Sequence, residues 1–368
     1  MKNENEKNMK KVHSPIKFIG IFFLIFLLIA LNLIHYYLGK IDYQQSAAVT
    51  EGKIEDMTQQ ASVLDENQKA SENDQPESSK KEIAALEQRL MEQTSGMEDI
   101  LFDKNVFNIL LIGYDSRDAD GKGRSDTNIL VSINRKTKRI TMTSIMRDSY
   151  VEIPGYGNNR INAAYAFGGG SLLVETIEKN FQISVNNYVA VDFFAFMDII
   201  NIVGGVEIEV SDAEVKVMNR YIRQLNRLEG YNEDTDILSE GGTLLLNGKQ
   251  TLAYTRVRYV GNADFERTER QRTVLEKVFE KTKSLNLLEL NDLMNRLLPE
   301  ISTDMDEKEV LFFLLRGPLF LQYDLQSLRI PADGTYEALR IDGMEVLGVD
   351  LEENRKLLEE MVYESGQK

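Results

Sequence analysis

The 368-residue sequence lacks the side chains on which many enzyme mechanisms depend. It contains no Cys, which excludes disulfides, thiolate nucleophiles and Cys-ligated zinc. Its two His residues, His13 and His35, both lie near the N-terminus, so the rest of the chain has no imidazole to act as a general base. The side chains left for chemistry in the rest of the chain are carboxylates, hydroxyls, Arg and Lys, which can also work together with a hard metal ion.

Basic residues are also fewer than acidic residues. The chain has 43 Lys and Arg against 59 Asp and Glu, a formal net charge of −16. Sequence-independent nucleic-acid binding requires cationic side chains that neutralise phosphates, so we expect no nucleic-acid partner. Hydrophobic residues make up 42% of the chain, which is enough for a sizeable core and argues against a wholly disordered protein.

Charged residues are missing altogether from residues 18–38, which include the run FIGIFFLIFLLIALNLI. At about 1.5 Å per residue this segment matches the ~30 Å core of a bilayer and predicts a transmembrane helix. Residues 1–17 contain five Lys against two Glu, which predicts a cytoplasmic tail and a single-pass cell-membrane protein facing outward. A cleaved signal peptide is the alternative, although its apolar segment is usually only about 7–15 residues long.

A polar stalk is predicted outside the membrane over residues 39–102. Ser, Gln, Asn and Glu dominate there, and the stretch SENDQPESSKK has a disordered composition. Ile83, Leu86 and Leu90 lie at helical spacing and predict a short helix near 81–94. The pattern covers about two heptads, too few to favour the alternative of a dimeric coiled coil.

Strand and helix patterns alternate beyond the stalk and predict an extracellular α/β domain over residues 103–365. Apolar runs bounded by turn signals predict the strands VFNILLIG, NILVSIN, RITMTSI, NYVAV, VEIEV, TRVRYVGN and LQSLRIP. Polar caps predict helices that begin after Ser171 and Asp192, and further helices are predicted over 266–283 and at LEENRKLLEEMV.

The loop after the first predicted strand concentrates charged side chains. It contains Asp115, Arg117, Arg124 and Asp126. Ligand sites in α/β sheets favour the carboxyl ends of strands. Two carboxylates there can share a Mg²⁺ whose other ligands are waters and phosphate oxygens. A solvated loop with local ion pairs is the alternative.

Arginines are concentrated in a second segment, which contains Arg256, Arg258, Arg267, Arg270 and Arg272. In the predicted strand, Arg256 and Arg258 point to one face, and a helix would likewise align Arg267 with Arg270. Guanidinium groups bind phosphate through planar, bidentate and permanently charged contacts, and Arg147 adds another at the end of the predicted hairpin. Surface pairing with neighbouring acidic residues is the alternative.

Several long motifs follow one another in order over residues 105–280: NILLIGYDSR, GRSDTNILVSI, TSIMRDSYV, RINAAYAFGGG, LNGKQTLAYTRVR and DFERTERQR. They resemble the LytR-CpsA-Psr family, and the tail IDGMEVLGVDLEENRKLLEEM resembles the closing segment of its domain. The resemblance implies an α/β fold in which a layered central mixed sheet is flanked by helices, behind one transmembrane helix and a polar stalk.

The resemblance also implies a function. Family members are Mg²⁺-dependent transferases on the outer face of Gram-positive membranes. They move an anionic glycopolymer, such as teichoic acid or capsule, from undecaprenyl-pyrophosphate to the 6-hydroxyl of N-acetylmuramic acid in peptidoglycan. The implied partners are the lipid-linked polymer, peptidoglycan and the membrane, and the implied cofactor is Mg²⁺. Such a transfer needs no enzyme nucleophile, because the acceptor hydroxyl attacks phosphorus directly.

Residue roles follow from the matched motifs. The implied metal ligands are Asp115 and Asp126. The arginines implied to grip the pyrophosphate are Arg117, Arg124, Arg147, Arg256 and Arg258. Further substrate contacts are implied for Asp264, Arg267, Arg270 and Gln271. The proton acceptor stays open among Asp115, Asp148 and Asp264.

Departures from the family pattern concern the acceptor side. Met146 stands where the family usually has Pro, and YVGNADFER is shorter than the usual acidic, Gly-containing stretch.

Two other functions stay open. A polyprenyl-pyrophosphate phosphohydrolase would use water and release free polymer phosphate. A membrane regulator or wall-binding protein would be non-catalytic, although outward topology and the lack of a basic recognition helix disfavour DNA contact.

Overall fold

The computed structural model describes residues 36–43, 77–95, 100–115, 123–258 and 263–363. The chain divides into two compact units, residues 1–40 and residues 41–368. The predicted cytoplasmic tail, the first eighteen residues of the predicted span and much of the predicted stalk lie outside the described residues. None of the helices within the described ranges combines the length and apolarity needed to cross a bilayer.

Strands and helices alternate through the second unit. The strands are β1 (Asp42–Tyr43), β2 (Val106–Tyr114), β3 (Ser125–Asn134), β4 (Arg139–Ile145), β5 (Ser149–Ile153), β6 (Gly157–Arg160), β7 (Asn187–Asp192), β8 (Val206–Val210), β9 (Gly242–Leu246), β10 (Ile301–Thr303), β11 (Asp324–Ile330), β12 (Tyr336–Ile341) and β13 (Met344–Val349). The α-helices are α1 (Glu77–Ser95), α2 (Asn162–Phe181), α3 (Phe193–Ile202), α4 (Asp212–Glu229), α5 (Gly248–Thr255), α6 (Ala263–Lys283), α7 (Leu287–Leu297), α8 (Glu307–Phe320) and α9 (Leu351–Leu358). A 3-10 turn follows α7 and a π-helical turn follows α9.

A seven-stranded mixed sheet in the order β1-β10-β7-β2-β3-β4-β11 forms the centre of this unit. At its middle, β2 runs parallel to β7 and antiparallel to β3. A four-stranded sheet has the order β12-β13-β5-β6, and β8 and β9 form a separate pair. The predicted α/β class, with a mixed sheet flanked by helices, is confirmed.

Most of the predicted strands are present, but the described part of TRVRYVGN, residues 255–258, is not a strand. Its beginning belongs to α5, and Arg256 is the residue that ends this helix. A capping box in which Asn247 and Gln250 bond each other's backbone starts the helix, and Leu252 and Ala253 are buried along it. The predicted strand starts where this helix ends, and residues 256–258 have turn and irregular backbone, so the predicted strand alignment of Arg256 with Arg258 is wrong.

The glycine triplet lies inside a helix rather than before one. Helix α2 begins at Asn162, well before the predicted start, and has non-helical backbone at Gly168 and Gly169. Gly169 has φ of 68°, a conformation that residues with a Cβ avoid. A Cβ on Gly170 would lie 2.4 Å from the Tyr188 ring. The triplet therefore kinks the helix and lets it pack closely against β7.

The main core lies on one face of the central sheet. Leu110 and Leu130 are paired across β2 and β3 and are fully buried there. Helix α1 contributes Leu86 and Leu90, each 1% exposed, to the same core. Burying such a side chain stabilises the fold by about 1.5–3 kcal/mol. The helix that the sequence placed in the stalk therefore packs into the core of the globular unit.

Candidate functional site

The candidate site lies where β2 and β7 reach their carboxyl ends. These strands are parallel, and Tyr114 at the end of β2 is in register with Asp192 at the end of β7. In the β2–β3 hairpin, Gly113 pairs with Thr127 but Tyr114 pairs with Ser125. Asp126 is therefore the extra residue of a β-bulge, a device that redirects a side chain out of the regular pleat.

Three guanidinium groups approach one carboxylate oxygen of Asp126. Arg147 Nη1 lies 2.6 Å from Asp126 Oδ1, within hydrogen-bond distance. Arg267 Nη1 and Arg258 Nη2 lie 3.9 and 4.0 Å from the same oxygen. These arginines come from the end of β4, from α6 and from the segment after α5, so Asp126 is the point at which distant parts of the chain meet.

A second carboxylate extends this network towards the four-stranded sheet. Asp148 Oδ2 lies 3.3 Å from Arg147 Nε, and Asp148 Oδ1 accepts a hydrogen bond of 2.9 Å from Arg160 Nη1. All three side chains are about one-sixth exposed. Arg160 ends β6, so the network connects residues from both large sheets.

Arg124 is the residue of this cluster in which like-charge repulsion is most evident. Partial burial lowers the pKa of its guanidinium, and the neighbouring Arg160 and Arg147 lower it further. Asp126 and Asp148 oppose this effect without cancelling it. An anion bound among these arginines would relieve the repulsion, because it would add the negative charge that two aspartates do not supply.

A partly open pocket with a volume of about 170 Å³ lies beside Asp126. Four cationic or amide side chains face it: Arg256, Arg258, Arg267 and Gln271. Its remaining walls are Asp126, Thr127, Phe193, Tyr221 and Thr255. The pocket combines guanidinium groups with two threonine side chains and two aromatic rings, which suits an anion attached to a larger group.

The other predicted site residues are distributed unevenly. Arg270 is not among the residues that line the pocket; it bonds Glu214 at 2.8 Å, Glu266 at 2.9 Å and the Val257 carbonyl at 3.1 Å. Burial tends to raise the pKa of Glu214, but hydrogen bonds from Ser211 and Arg270 bring it below its usual value. The structure thus uses Arg270 to hold α4 and α6 together around the pocket.

The side chains of two predicted residues lie outside the described part of the chain. Arg117 lies outside the described residues. Asp264 belongs to the first turn of α6, but its side chain is outside the description. Their roles remain expectations from the family resemblance.

The sequence did not indicate that Arg160, Tyr221 or Phe193 belongs to the arginine-rich site. Arg160 stands at the start of the motif RINAAYAFGGG, so the motif itself was the available signal. Phe193 follows the helix cap Asp192 at the end of β7, a position that topology directs to the site. Tyr221 lies in the middle of α4, and its sequence position has no signal that separates it from a core aromatic.

The site offers carboxylate oxygens as ligands for a divalent cation. No group of three or more His, Asp or Glu side chains that could hold a metal ion occurs within the described ranges. Asp115 lies one residue after β2, and Asp126 lies at the bulge of β3. Both offer oxygen ligands only. Two carboxylates fit Mg²⁺, which keeps several waters and takes phosphate oxygens as further ligands.

Comparison with known proteins gives consistent results. Residues 60–362 match the model of the LytR_cpsA_psr family. The polyisoprenyl-teichoic acid–peptidoglycan teichoic acid transferase TagU of Enterococcus faecalis is 34% identical over 268 residues, which cover 70% of this chain and 82% of that enzyme.

Solved structures resemble the fold as well. The structure of TagT bound to LI-WTA has a TM-score of 0.57 and 30% identity, and it covers 71% of this chain and 93% of that one. The LytR-CPS2A-psr family protein YwtF (TagT) with bound octaprenyl pyrophosphate lipid has a TM-score of 0.53 and 29% identity, with the same two coverages.

Proposed function

This chain belongs to the LytR-CpsA-Psr family, and from that membership and the arginine pocket we propose that it is a glycopolymer–peptidoglycan transferase. The donor is an anionic glycopolymer of the teichoic acid or capsule type on undecaprenyl-pyrophosphate. The acceptor is the 6-hydroxyl of N-acetylmuramic acid in peptidoglycan. A relative that carries bound octaprenyl pyrophosphate lipid supports the class of donor.

The observation that carries the proposal is the convergence of arginines on the bulged Asp126. Arg147, Arg258 and Arg267 approach one of its oxygens, and Arg256 shares the adjoining pocket. A diphosphate supplies the negative charge that such a cluster lacks, and guanidinium groups bind its oxygens in fixed, bidentate geometry.

The arginines act by position and charge. In phosphoryl transfer the enzyme stabilises charge that develops on the oxygens around phosphorus, and preorganised cations do this without rearranging. Arg147 is already oriented by Asp126 and Asp148, at 2.6 and 3.3 Å. Removing such an interaction typically slows catalysis by about a hundredfold to a thousandfold.

Among the possible proton acceptors, Asp148 is disfavoured. Arg147 and Arg160 both contact its oxygens and compete with a proton for them. We assign Asp148 to orienting these two arginines. The acceptor hydroxyl then loses its proton to another group, and Asp115 and Asp264 stay open for that role.

Asp115 and Asp126 would hold the Mg²⁺ of the proposed reaction. When bound there, the ion would neutralise charge on the phosphate oxygens. Arg147 would keep Asp126 oriented through its 2.6 Å hydrogen bond to Asp126 Oδ1. The arginines that surround Asp126 therefore fix the orientation of its carboxylate and stabilise its negative charge.

The proposal is tested with the lipid-linked donor and peptidoglycan oligomers. Arg147→Ala should lower transfer by at least about a hundredfold, because it removes a preorganised cation from the site. Arg296→Ala is the matched control, since Arg296 is 60% exposed and pairs only with Asp292 among its described ion pairs.

The product identifies the reaction class. Covalent linkage of polymer to peptidoglycan supports the transferase, whereas free polymer phosphate as the main product supports the hydrolase. Equal turnover of Arg147→Ala and Arg296→Ala would show that the arginine cluster is not the site.

A further inference from the structure

Two aromatic rings lie close to the Arg256 guanidinium in the pocket wall. Its guanidinium carbon lies 5.2 Å from the centre of the Phe193 ring and 5.4 Å from the centre of the Tyr221 ring. Both distances fall within the range of cation–π attraction. All three residues line the same pocket, so this aromatic clamp, formed by Phe193 and Tyr221, is part of the wall that faces a ligand.

Each ring of the aromatic clamp is supplied by a separate and well-anchored element. Phe193 is the first residue of α3, where Asp192 caps the helix by accepting a hydrogen bond of 2.8 Å from the Ala195 amide. Tyr221 lies on α4 and packs against the small core beneath β8 and β9. Arg256 ends α5, so its backbone is fixed by a third helix.

The aromatic clamp differs chemically from the carboxylate contacts of Arg147. A carboxylate that orients a guanidinium also adds a negative charge beside it, as Asp126 and Asp148 do for Arg147. A ring face attracts the cation and fixes its plane while adding no formal charge. A clamp of this kind preserves the attraction of the guanidinium for an anion.

We propose that Phe193 and Tyr221 are positioning residues, which orient the Arg256 guanidinium so that it meets the diphosphate of the donor in one geometry. The inference rests on the proposed function, because it takes the diphosphate as the ligand of the pocket. The two rings act through Arg256. Loss of either ring leaves the charge of Arg256 in the pocket. The plane of its guanidinium group is then no longer fixed.

The kinetic test uses full-length protein in detergent, with lipid-linked donor and peptidoglycan oligomers. Tyr221→Leu and Phe193→Leu should each lower kcat by about tenfold, while the KM for the peptidoglycan acceptor changes less than about twofold. Tyr221→Phe and Phe193→Tyr keep a ring and should retain nearly full kcat. A Tyr221→Leu variant with native kcat, or a Tyr221→Phe variant as slow as Tyr221→Leu, would overturn the aromatic clamp.

A double-mutant cycle with inorganic pyrophosphate tests whether the rings act through Arg256. Calorimetry should show that Tyr221→Leu weakens pyrophosphate binding about tenfold in the native chain. The same substitution should have no further effect in an Arg256→Ala background. Equal weakening in both backgrounds, or none in either, would overturn the inference. If a leucine variant fails to fold, Tyr221→Met replaces it, since Met fills a similar space without a ring.

The two tests separate this inference from the proposed function. A native chain that transfers no polymer but shows coupling between Tyr221 and Arg256 in the pyrophosphate cycle would refute the transferase and support the aromatic clamp. A chain that transfers polymer with no such coupling would refute the aromatic clamp and leave the transferase standing.

Discussion

At the scale of single residues, the site depends on one aspartate that is displaced from the regular strand. Asp126 occupies a β-bulge, and its Oδ1 lies 2.6 Å from Arg147 Nη1 and within 4.0 Å of Arg258 and Arg267. A bulge places the side chain where a regular pleat would not. The sequence shows that an aspartate is present in this loop, but it does not show that the strand is one residue longer than its partner.

Asp126→Asn keeps the shape of this side chain and removes its charge. Without Mg²⁺ we expect tighter binding of inorganic pyrophosphate, because the surrounding guanidinium groups lose their carboxylate partner. With Mg²⁺ we expect the native chain to bind pyrophosphate about tenfold or more tightly, and we expect this gain to disappear in Asp126→Asn. Calorimetric titration with and without the ion measures both effects. If the variant still gained the native increase from Mg²⁺, the ion would bind elsewhere.

At the scale of secondary-structure elements, local patterns located the long strands of the central sheet but missed short strands such as β5 and β6 and the helix α4. The apolar runs of β2, β3, β4 and β7 lie where periodicity and turn signals placed them. Helix α5 was not predicted, because its eight residues are too few to show a clear 3.6-residue periodicity. Helix α1 was predicted, but its packing was not, because a two-heptad pattern does not specify its partner.

Leu86→Ala tests whether α1 is an integral part of the core. Leu86 is 1% exposed, so truncation should destabilise the protein by about 2–5 kcal/mol. Met91→Ala on the same helix is the control, because Met91 is 63% exposed and its loss should cost less than about 0.5 kcal/mol. Denaturant unfolding of residues 41–368 measures both changes. Equal stability of the two variants would show that α1 detaches from the core in solution.

At the scale of the whole molecule, an acidic protein contains a basic site. The net charge is −16, yet the pocket is lined by Arg256, Arg258 and Arg267. At physiological ionic strength charges more than about 8 Å apart at the surface are largely screened. The local arginines, rather than the overall charge, therefore determine how the site interacts with an anionic polymer.

Removing residues 1–40 tests the predicted membrane anchor while preserving β1 and its pairing with β10. We expect the shortened chain to leave the membrane fraction. Its transfer from a detergent-dispersed donor should stay near that of the full chain, whereas transfer from a donor in native membranes should fall by about a hundredfold, because the effective concentration of enzyme at the lipid is lost. A shortened chain that stays bound to membranes after alkaline washing would contradict the predicted anchor.

Composition and motifs alone established an enzyme chemistry without thiol or imidazole, an α/β domain and two arginine-rich segments, because these properties depend on residue type and short-range periodicity. They did not establish which arginines meet. Arg147, Arg160 and Arg267 come together because β4, β6 and α6 belong to different layers whose arrangement depends on sheet order and register. The same long-range packing turned Arg270 to Glu214 and placed Arg256 between two rings, since contacts between distant segments are selected by how whole elements pack.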